Sequence, residues 1–285
     1  MKINSTSPQD YKYLQLLNSI AKKPERLHFT GKLPSNRLTT VAIVGSRKPT
    51  AYGKEVTYRL SYELAKRGII IVSGLALGVD GIAHQAALDA GGTTIAVVAN
   101  GVDIIYPAAH RQLAKSIIDS GGAVISEYPP GTEARDFYFL ARNRIVSGLA
   151  DAVVVTEAAV RSGTLSTVAH ALEQGREVFV VPGNITSPLS AGCNALLKQG
   201  AQPVTCSEDI LEVIAPDLLK PQQSLPLGNS PAESKLIELI QAGLRDGDQI
   251  LSASKLSVSE FSQALTMLEV NGSVRALGGN QWTLR

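Results

Sequence analysis

Between residues 40 and 215, short apolar, β-branched runs alternate with longer stretches in which apolar residues recur every three or four positions. This pattern predicts strands and helices in alternation, and hence a mostly parallel α/β sheet. Most of the strands lack the alternation of a half-solvated sheet, so we expect helices on both faces. The predicted strands are residues 40–44, 69–73, 94–98, 123–126, 152–156, 177–181 and 203–205. The predicted helices are residues 53–66, 79–90, 109–119, 141–149 and 165–174.

The pattern changes after residue 215. Residues 216–230 are rich in proline, have no periodicity and predict a linker. Residues 231–285 predict helices at 232–242, around 252–256 and at 259–269, followed by a small hairpin, which is typical of a winged helix. Residues 1–39 are too short for a domain, and we expect this N-terminal extension to pack on the edge of the sheet domain, residues 40–215.

Composition excludes several classes of protein. Hydrophobic residues make up 44% of the 285 residues and charged residues 18%, which is typical of a globular chain. No apolar run is long enough to cross a bilayer and no signal peptide is evident, so we expect no membrane association and a cytoplasmic location. The formal net charge is only +2, so any contact with nucleic acid must come from local clustering of basic residues.

Standard catalytic and cofactor motifs are missing. The sequence contains no GxxxxGK[ST], GxGxxG or GxSxG pattern, and its four histidines are scattered without metal-ligand spacing. We therefore expect no cofactor and no metal. Asp80 and His84 share one helix face and could form an acid/base pair, but such a pair more often braces the start of a helix.

Glycines follow nearly every predicted strand. They are Gly45, Gly74, Gly101, Gly131, Gly163 and Gly183. The carboxyl ends of parallel strands meet at one edge of a sheet, where glycine lets backbone amides approach an anion and helix N-termini attract it. Three of these turns add hydroxyl groups or arginine: Gly45-Ser46-Arg47, Ser73-Gly74 and Arg161-Ser162-Gly163-Thr164. The alternative is that the glycines only serve tight turns, but this combination favours a phosphate site.

The chain also predicts an extended anionic ligand. Basic residues outnumber acidic residues between positions 41 and 68, and Arg142 and Arg144 add to this surplus. Nearby lies Phe137-Tyr138-Phe139, whose rings could stack unpaired bases while cations hold phosphates. The same rings could instead belong to the core, and we expect this of two of the three.

Several strings resemble the DNA-processing protein A (DprA/Smf) family. They are VAIVGSRKPTAYG, IVSGLALGVDGIAHQAAL, GTTIAVVANGVDIIYPAAH, SEYPPG, FLARNRIVSGLADAVVVTEAAVRSGTL and VFVVPGNI, spread over residues 11–214. The resemblance implies an extended Rossmann-like domain that binds single-stranded DNA and forms a homodimer. It further implies a protein that loads RecA recombinase onto incoming DNA in natural transformation, without catalytic turnover.

The resemblance also implies the DNA-binding residues. The matching positions are Gly45, Ser46, Arg47, Ser73, Gly74, Phe139, Arg142, Asn143, Ser162, Gly163 and Thr164. Asp136 stands where several members carry a DNA-contacting lysine, and we expect the adjacent Arg135 to substitute for it or DNA binding to be weaker. Leu140 replaces a proline that often precedes the RNR motif of residues 142–144.

Two other functions stay open at this point. One is a nucleotide N-glycosidase of related fold, although residues 161–167 lack the carboxylate of the required PGGxGTxxE motif. The other is a small-nucleotide sensor that signals through the winged helix. That module has five basic and six acidic residues between positions 231 and 285, so we expect a structural or protein-contact role rather than strong binding of duplex DNA.

Overall fold

The computed structural model describes residues 2–219 and 230–284. The chain divides into two compact units, Met1–Leu219 and Lys220–Arg285. Most of the predicted linker, residues 220–229, lies outside the described residues. Its first residues do not behave as a linker, because Pro216–Leu218 forms a 3-10 helix within the larger unit.

The larger unit is built on one nine-stranded sheet. Its strands are β1 (Asn4–Thr6), β2 (Leu27–Gly31), β3 (Thr40–Val44), β4 (Ile70–Ser73), β5 (Thr94–Val97), β6 (Ala123–Ser126), β7 (Ala152–Val155), β8 (Glu177–Val180) and β9 (Gln202–Pro203). The spatial order is β1-β2-β6-β5-β4-β3-β7-β8-β9. Neighbouring strands from β6 to β9 are parallel, while β1 and β2 run antiparallel at the β6 edge. The predicted mostly parallel α/β sheet is confirmed.

Both faces of the central strands are buried, which explains their uninterrupted apolar sequences. All five residues of β3 are buried. Ala42 and Val44 belong to the apolar cluster on one face of the sheet, whereas Val41 and Ile43 belong to the cluster on the other face. Successive side chains of a strand point to opposite faces, so a strand covered on both sides needs apolar residues at every position.

The described residues of the larger unit form seven α-helices. They are α1 (Ala51–Lys66), α2 (Val79–Asp89), α3 (Arg111–Asp119), α4 (Asp136–Leu149), α5 (Thr164–Glu173), α6 (Ala191–Lys198) and α7 (Ser207–Ile214). The sequence pattern did not predict α6 and α7, which have only 8 residues each. Helix α4 begins five residues before its predicted start, with Asp136 in the first turn, where a negative charge favours the helix dipole. Phe139 and Arg142 therefore lie one turn apart on the same helix.

Two strands of the N-terminal segment extend the sheet at its β6 edge. Strand β2 pairs with β6, and β1 pairs with β2. The amphipathic stretch around residues 11–21 forms a 3-10 helix, Lys12–Ser19, which buries Tyr13, Leu14 and Leu17. Apolar burial thus holds the N-terminal segment to the sheet.

The smaller unit contains the three helices and hairpin predicted for a winged helix. These are α8 (Pro231–Gln241), α9 (Gly247–Ser254), α10 (Val258–Val270), β10 (Val274–Gly278) and β11 (Gln281–Leu284). Helix α9 begins earlier than predicted, because the Asp246 carboxylate accepts hydrogen bonds from the amides of Asp248 and Gln249, both at 3.1 Å. Throughout the described ranges, no helix combines the length and apolar character needed to span a membrane.

Candidate nucleic-acid interface

A pocket lies at the carboxyl ends of the central strands, where the strand order of the sheet reverses. The strands after β3 are added on one side, as β4, β5 and β6, whereas β7, β8 and β9 are added on the other. Ligands of open α/β sheets bind in the crevice beside such a switch point. The pocket encloses about 310 Å³, within the usual range for ligand sites. The predicted residues that line it are Gly45, Ser46, Arg47, Gly74, Phe139, Arg142, Asn143, Ser162, Gly163 and Thr164.

Two predicted site residues are outside this lining. Ser73 is fully buried, and its hydroxyl donates a 2.6 Å hydrogen bond to the carbonyl of Ile43. The expectation that this hydroxyl meets a phosphate does not fit its position, because it joins the ends of β3 and β4. Arg135 is exposed at the N-terminus of α4, and its contact with DNA stays a prediction.

Close packing explains the glycines after β3 and β4. A Cβ atom on Gly45 would lie 2.7 Å from Cγ2 of Val79, and one on Gly74 would lie 2.5 Å from Nη2 of Arg142. The turn before α5 differs, because a Cβ atom on Gly163 would meet nothing closer than Leu140, at 4.0 Å. Packing therefore requires glycine at the first two positions and leaves open space at the third.

Several backbone amides of the pocket are paired within the protein. The amide of Ser46 donates to the carbonyl of Glu157 at 2.7 Å, and the amide of Gly74 donates to the Asp80 carboxylate at 3.0 Å. The amide of Thr164 donates to the hydroxyl of Ser162 at 3.2 Å. The expectation that backbone amides of these turns approach an anion does not fit these three, because each already donates a hydrogen bond within the protein. Attraction for an anion must come mainly from side-chain cations, hydroxyl groups and helix dipoles.

Arg142 places a positive charge in the floor of the pocket. Its side chain is buried, and Nη1 donates to the carbonyls of Gly74, at 2.7 Å, and Val97. Burial lowers the pKa of Arg142 to about 10, although Asp80 partly offsets that effect. The guanidinium stays charged at neutral pH and joins the carboxyl ends of β4 and β5.

Asp80 and His84 do not form an acid/base pair. The Asp80 carboxylate accepts hydrogen bonds from the amides of Gly74 and Ala76, whereas Nδ1 of His84 lies 2.7 Å from the hydroxyl of Thr94. Burial raises the pKa of Asp80 and lowers that of His84 to about 3. Both residues brace the start of α2 and the adjacent strands, as the more ordinary interpretation of their spacing expects.

Arg47 and Phe139 form an exposed cation–aromatic pair at the pocket. The Cζ atom of Arg47 lies 5.4 Å from the centroid of the Phe139 ring. None of the three aromatic residues predicted as possible core is buried: Phe137 is 59% exposed, and Tyr138 and Phe139 are partly exposed. Their position on the first turn of α4 keeps them at the carboxyl edge of the sheet.

The basic residues of the predicted surplus do not form one patch. Arg144 ion-pairs with Glu127 at 2.5 Å and donates to the carbonyl of Lys22 at 2.8 Å, so it faces away from the pocket. Arg59 pairs with Glu63, and Arg67 pairs with Glu208. Helix α1, with 16 residues, is about 24 Å long, so its last basic residues lie far from its start at the pocket.

One arginine of the pocket, Arg161, was not among the DNA-binding residues expected from the sequence. Exposed Arg161 lines the pocket beside Ser162 and Gly163. The pocket lining therefore includes three arginines, at positions 47, 142 and 161, and within the described part of the chain Asp80 supplies its one carboxylate. The Arg161-Ser162-Gly163-Thr164 string already carried the signal, since arginine and hydroxyl groups in one turn suit phosphate.

Hydrogen bonds connect the start of α5 with the neighbouring elements of the pocket. The hydroxyl of Thr164 donates to the carbonyl of Gly45 at 3.0 Å, which ties the start of α5 to the turn after β3. The side-chain amide of Asn143 donates to the hydroxyl of Ser166 at 2.8 Å and so connects α4 with α5. Across residues 2–219 and 230–284, no cluster of three or more His, Cys, Asp or Glu side chains could hold a metal ion.

Comparisons with known proteins agree with this architecture. Residues 4–215 match the family model for DNA recombination-mediator protein A, and residues 220–280 match the DprA winged helix domain. A protein of Mycobacterium tuberculosis assigned as DprA is 42% identical over 251 residues. That match covers 86% of this chain and 64% of the relative, so the chain spans less than two thirds of the relative's length.

Two solved structures extend the comparison to the fold. DNA processing protein A of Streptococcus pneumoniae has a TM-score of 0.69 at 41% identity and covers 75% of each chain. DNA processing protein A of Helicobacter pylori, whose structure concerns its single-stranded DNA binding mode, has a TM-score of 0.67 at 32% identity. That match covers 76% of this chain and 97% of the other. This chain belongs to the DNA recombination-mediator protein A family.

Proposed function

We propose that this chain binds single-stranded DNA at the switch-point pocket. The observation that carries the proposal is the charge of the lining, which among the described residues contains three arginines and one carboxylate, the buried Asp80. The partly exposed ring of Phe139 lies next to exposed Arg47, one of these cations. Cations that hold phosphates beside rings that stack bases are the usual means of binding a single strand.

The residues divide the task between them. Arg47 and Arg161 are exposed and hold phosphate oxygens through their planar guanidinium groups. Ser162 and Thr164 supply hydroxyl groups, and the positive end of the α5 dipole points at the same place. Buried Arg142 contributes a fixed positive charge at the base of the pocket. These contacts address the sugar-phosphate backbone, so binding is independent of base sequence.

We further propose that the chain acts as a recombination mediator in the cytoplasm. In this role a homodimer holds incoming single strands and loads RecA recombinase onto them during natural transformation. Membership in the DNA recombination-mediator protein A family supports this role. The similarity to a protein from Helicobacter pylori with a single-stranded DNA binding mode supports the choice of ligand.

We propose binding without catalysis at this site. In the described residues, the one carboxylate that lines the pocket is Asp80, which accepts hydrogen bonds from two backbone amides and is buried. A nucleotide N-glycosidase needs a carboxylate that reaches the sugar. Release of free base from a nucleoside monophosphate, measured by chromatography, would favour the enzyme. Tight binding of a mononucleotide in calorimetry would favour the sensor.

The test is a titration of a labelled oligothymidylate by fluorescence anisotropy at several salt concentrations. Arg47→Ala should weaken binding at least several-fold and reduce the slope of log K against log salt by roughly 0.7, the value for one phosphate contact on a single strand. Arg59→Ala is the matched control, because Arg59 is an exposed arginine paired with Glu63 on α1. Equal affinities for the Arg47 variant and the wild type would contradict the proposed site.

A further inference from the structure

Tyr106 extends the aromatic surface beside the pocket. Its ring centroid lies 5.6 Å from that of Phe139, with 46° between the ring planes. Half of the Tyr106 side chain, 50%, is exposed, and the residue is not part of the pocket lining. The Tyr106 ring therefore lies next to the pocket and contacts Phe139, which lines it.

Phe139 already has a cation on its ring. The guanidinium of Arg47 lies over that ring, 5.4 Å from its centroid, which is the geometry of a cation–π contact. A base that stacked on the same face would have to displace the arginine. The exposed part of the Tyr106 ring is therefore more accessible to a base than the Phe139 ring. Phe139 packs against both Arg47 and Tyr106 and so fixes their positions.

The loop that carries Tyr106 is held in place by hydrogen bonds. The side-chain amide of Asn100 donates to the carbonyls of Gly101, at 2.9 Å, and Ile104. The Asp103 carboxylate accepts a hydrogen bond from the amide of Gly131 at 2.9 Å, and the amide of Gly101 donates to the carbonyl of Thr132 at 2.8 Å. A ring on a fixed loop loses little conformational entropy when it binds a ligand.

We propose that Tyr106 is a base-binding subsite: one nucleobase of a bound single strand stacks on its ring while Arg47 holds a neighbouring phosphate. This proposal rests on the proposed function. Arg47 lies 5.4 Å and Tyr106 lies 5.6 Å from the centroid of the same Phe139 ring, so neighbouring nucleotides of one strand can contact both. Because every base has a π face, the subsite accepts any base.

The experiment compares two probes, oligothymidylate and a strand of the same length made of abasic sugar-phosphate units. Tyr106→Leu should weaken binding of oligothymidylate roughly tenfold, as expected for the loss of one stacked base. It should leave both the affinity for the abasic strand and the salt dependence unchanged. Tyr106→Phe keeps the ring and should restore wild-type affinity. Phe137→Leu is the matched control, because Phe137 is 59% exposed but its ring packs against Tyr138 rather than against Phe139.

Each outcome separates the subsite from the proposed function. If Tyr106→Leu binds oligothymidylate as tightly as the wild type while Arg47→Ala does not, the subsite is refuted and the DNA site stands. An equal loss for both probes would also refute stacking, because the abasic strand has no base. If the wild type binds neither probe, the proposed function fails, and the subsite fails with it.

Discussion

Gly74 and Arg142 are packed so closely that a Cβ atom on the glycine would lie 2.5 Å from Nη2 of the arginine. The guanidinium is buried here because it donates hydrogen bonds to the carbonyls of Gly74 and Val97. A cation can stay buried only if its hydrogen-bond donors are satisfied. Glycine at position 74 leaves the space that the buried guanidinium of Arg142 needs to make these hydrogen bonds.

Gly74→Ala should therefore destabilise the larger unit by about 1–3 kcal/mol, the usual cost of overpacking. It should also weaken binding of single strands, because Arg142 must move. Urea unfolding measures the first effect and anisotropy the second. Gly163→Ala is the control, since its Cβ atom would meet nothing closer than 4.0 Å. If the two variants are equally stable, the packing argument is wrong.

His84 should make the protein less stable in mild acid. Its native pKa is about 3, against 6.5 for an ordinary histidine, because burial excludes the charged form and Arg142 and His110 add repulsion. Below pH 6.5 the unfolded chain therefore takes up a proton that the native state does not. Stability is lost as the pH falls from 6.5 towards 3, by about 2 kcal/mol between pH 7 and pH 5.

The matched variants for this test are His84→Gln and His170→Gln. Urea unfolding of each at pH 7 and pH 5 gives the change in stability with pH, and contributions of other groups, such as Asp80, cancel between variants. His84→Gln should remove most of the loss. His170→Gln should not, because His170 is partly exposed beside Glu173. The same pH dependence in His84→Gln as in the wild type would show that His84 titrates normally.

Arg161→Ala and Arg144→Ala should separate binding from stability. Arg161 is exposed at the pocket, so its loss should change stability by less than about 0.5 kcal/mol but weaken oligothymidylate binding and its salt dependence. Arg144 bonds Glu127 and the carbonyl of Lys22, so its loss should lower stability and leave the salt slope unchanged. The opposite pattern would place Arg144, rather than Arg161, at the DNA.

Leu236→Ala should affect the smaller unit without affecting the pocket. Leu236 is fully buried in the core formed by α8, α9 and α10, and its truncation should cost that unit about 2–5 kcal/mol. Met267→Ala, at a 44% exposed position, should be nearly neutral. Proteolysis monitors the smaller unit. Single-strand affinity should persist in both variants, and its loss in Leu236→Ala would show that the smaller unit takes part in binding.

Much of the larger unit could be predicted from local patterns. Buried strands such as β3 and β6 appear in the sequence as apolar runs, and their observed bounds match the prediction. Strand β1 and helices α6 and α7 were missed because they are short, and short segments carry too little periodicity to be recognised. Strand β2 is as long as β3 but was missed because His28 and Thr30 interrupt its apolar residues. The predicted α4 was five residues too short. The residues at its start, Phe137 to Leu140, form a continuous apolar run, which does not show the periodicity of a helix.

The sequence by itself determined the class of sheet and the edge at which the glycine turns gather, because these follow from neighbours along the chain. Other pocket residues, such as Phe139 and Asn143, were expected there only through the resemblance to a known family. Only the tertiary structure decided that Arg142 turns into the pocket floor while Arg144 turns towards Glu127. It also decided that the amides of Ser46 and Gly74 are already paired. Hydrogen-bond partners and ring contacts such as Tyr106 with Phe139 join residues distant in the chain, so they exist only once the strands have been ordered in the sheet.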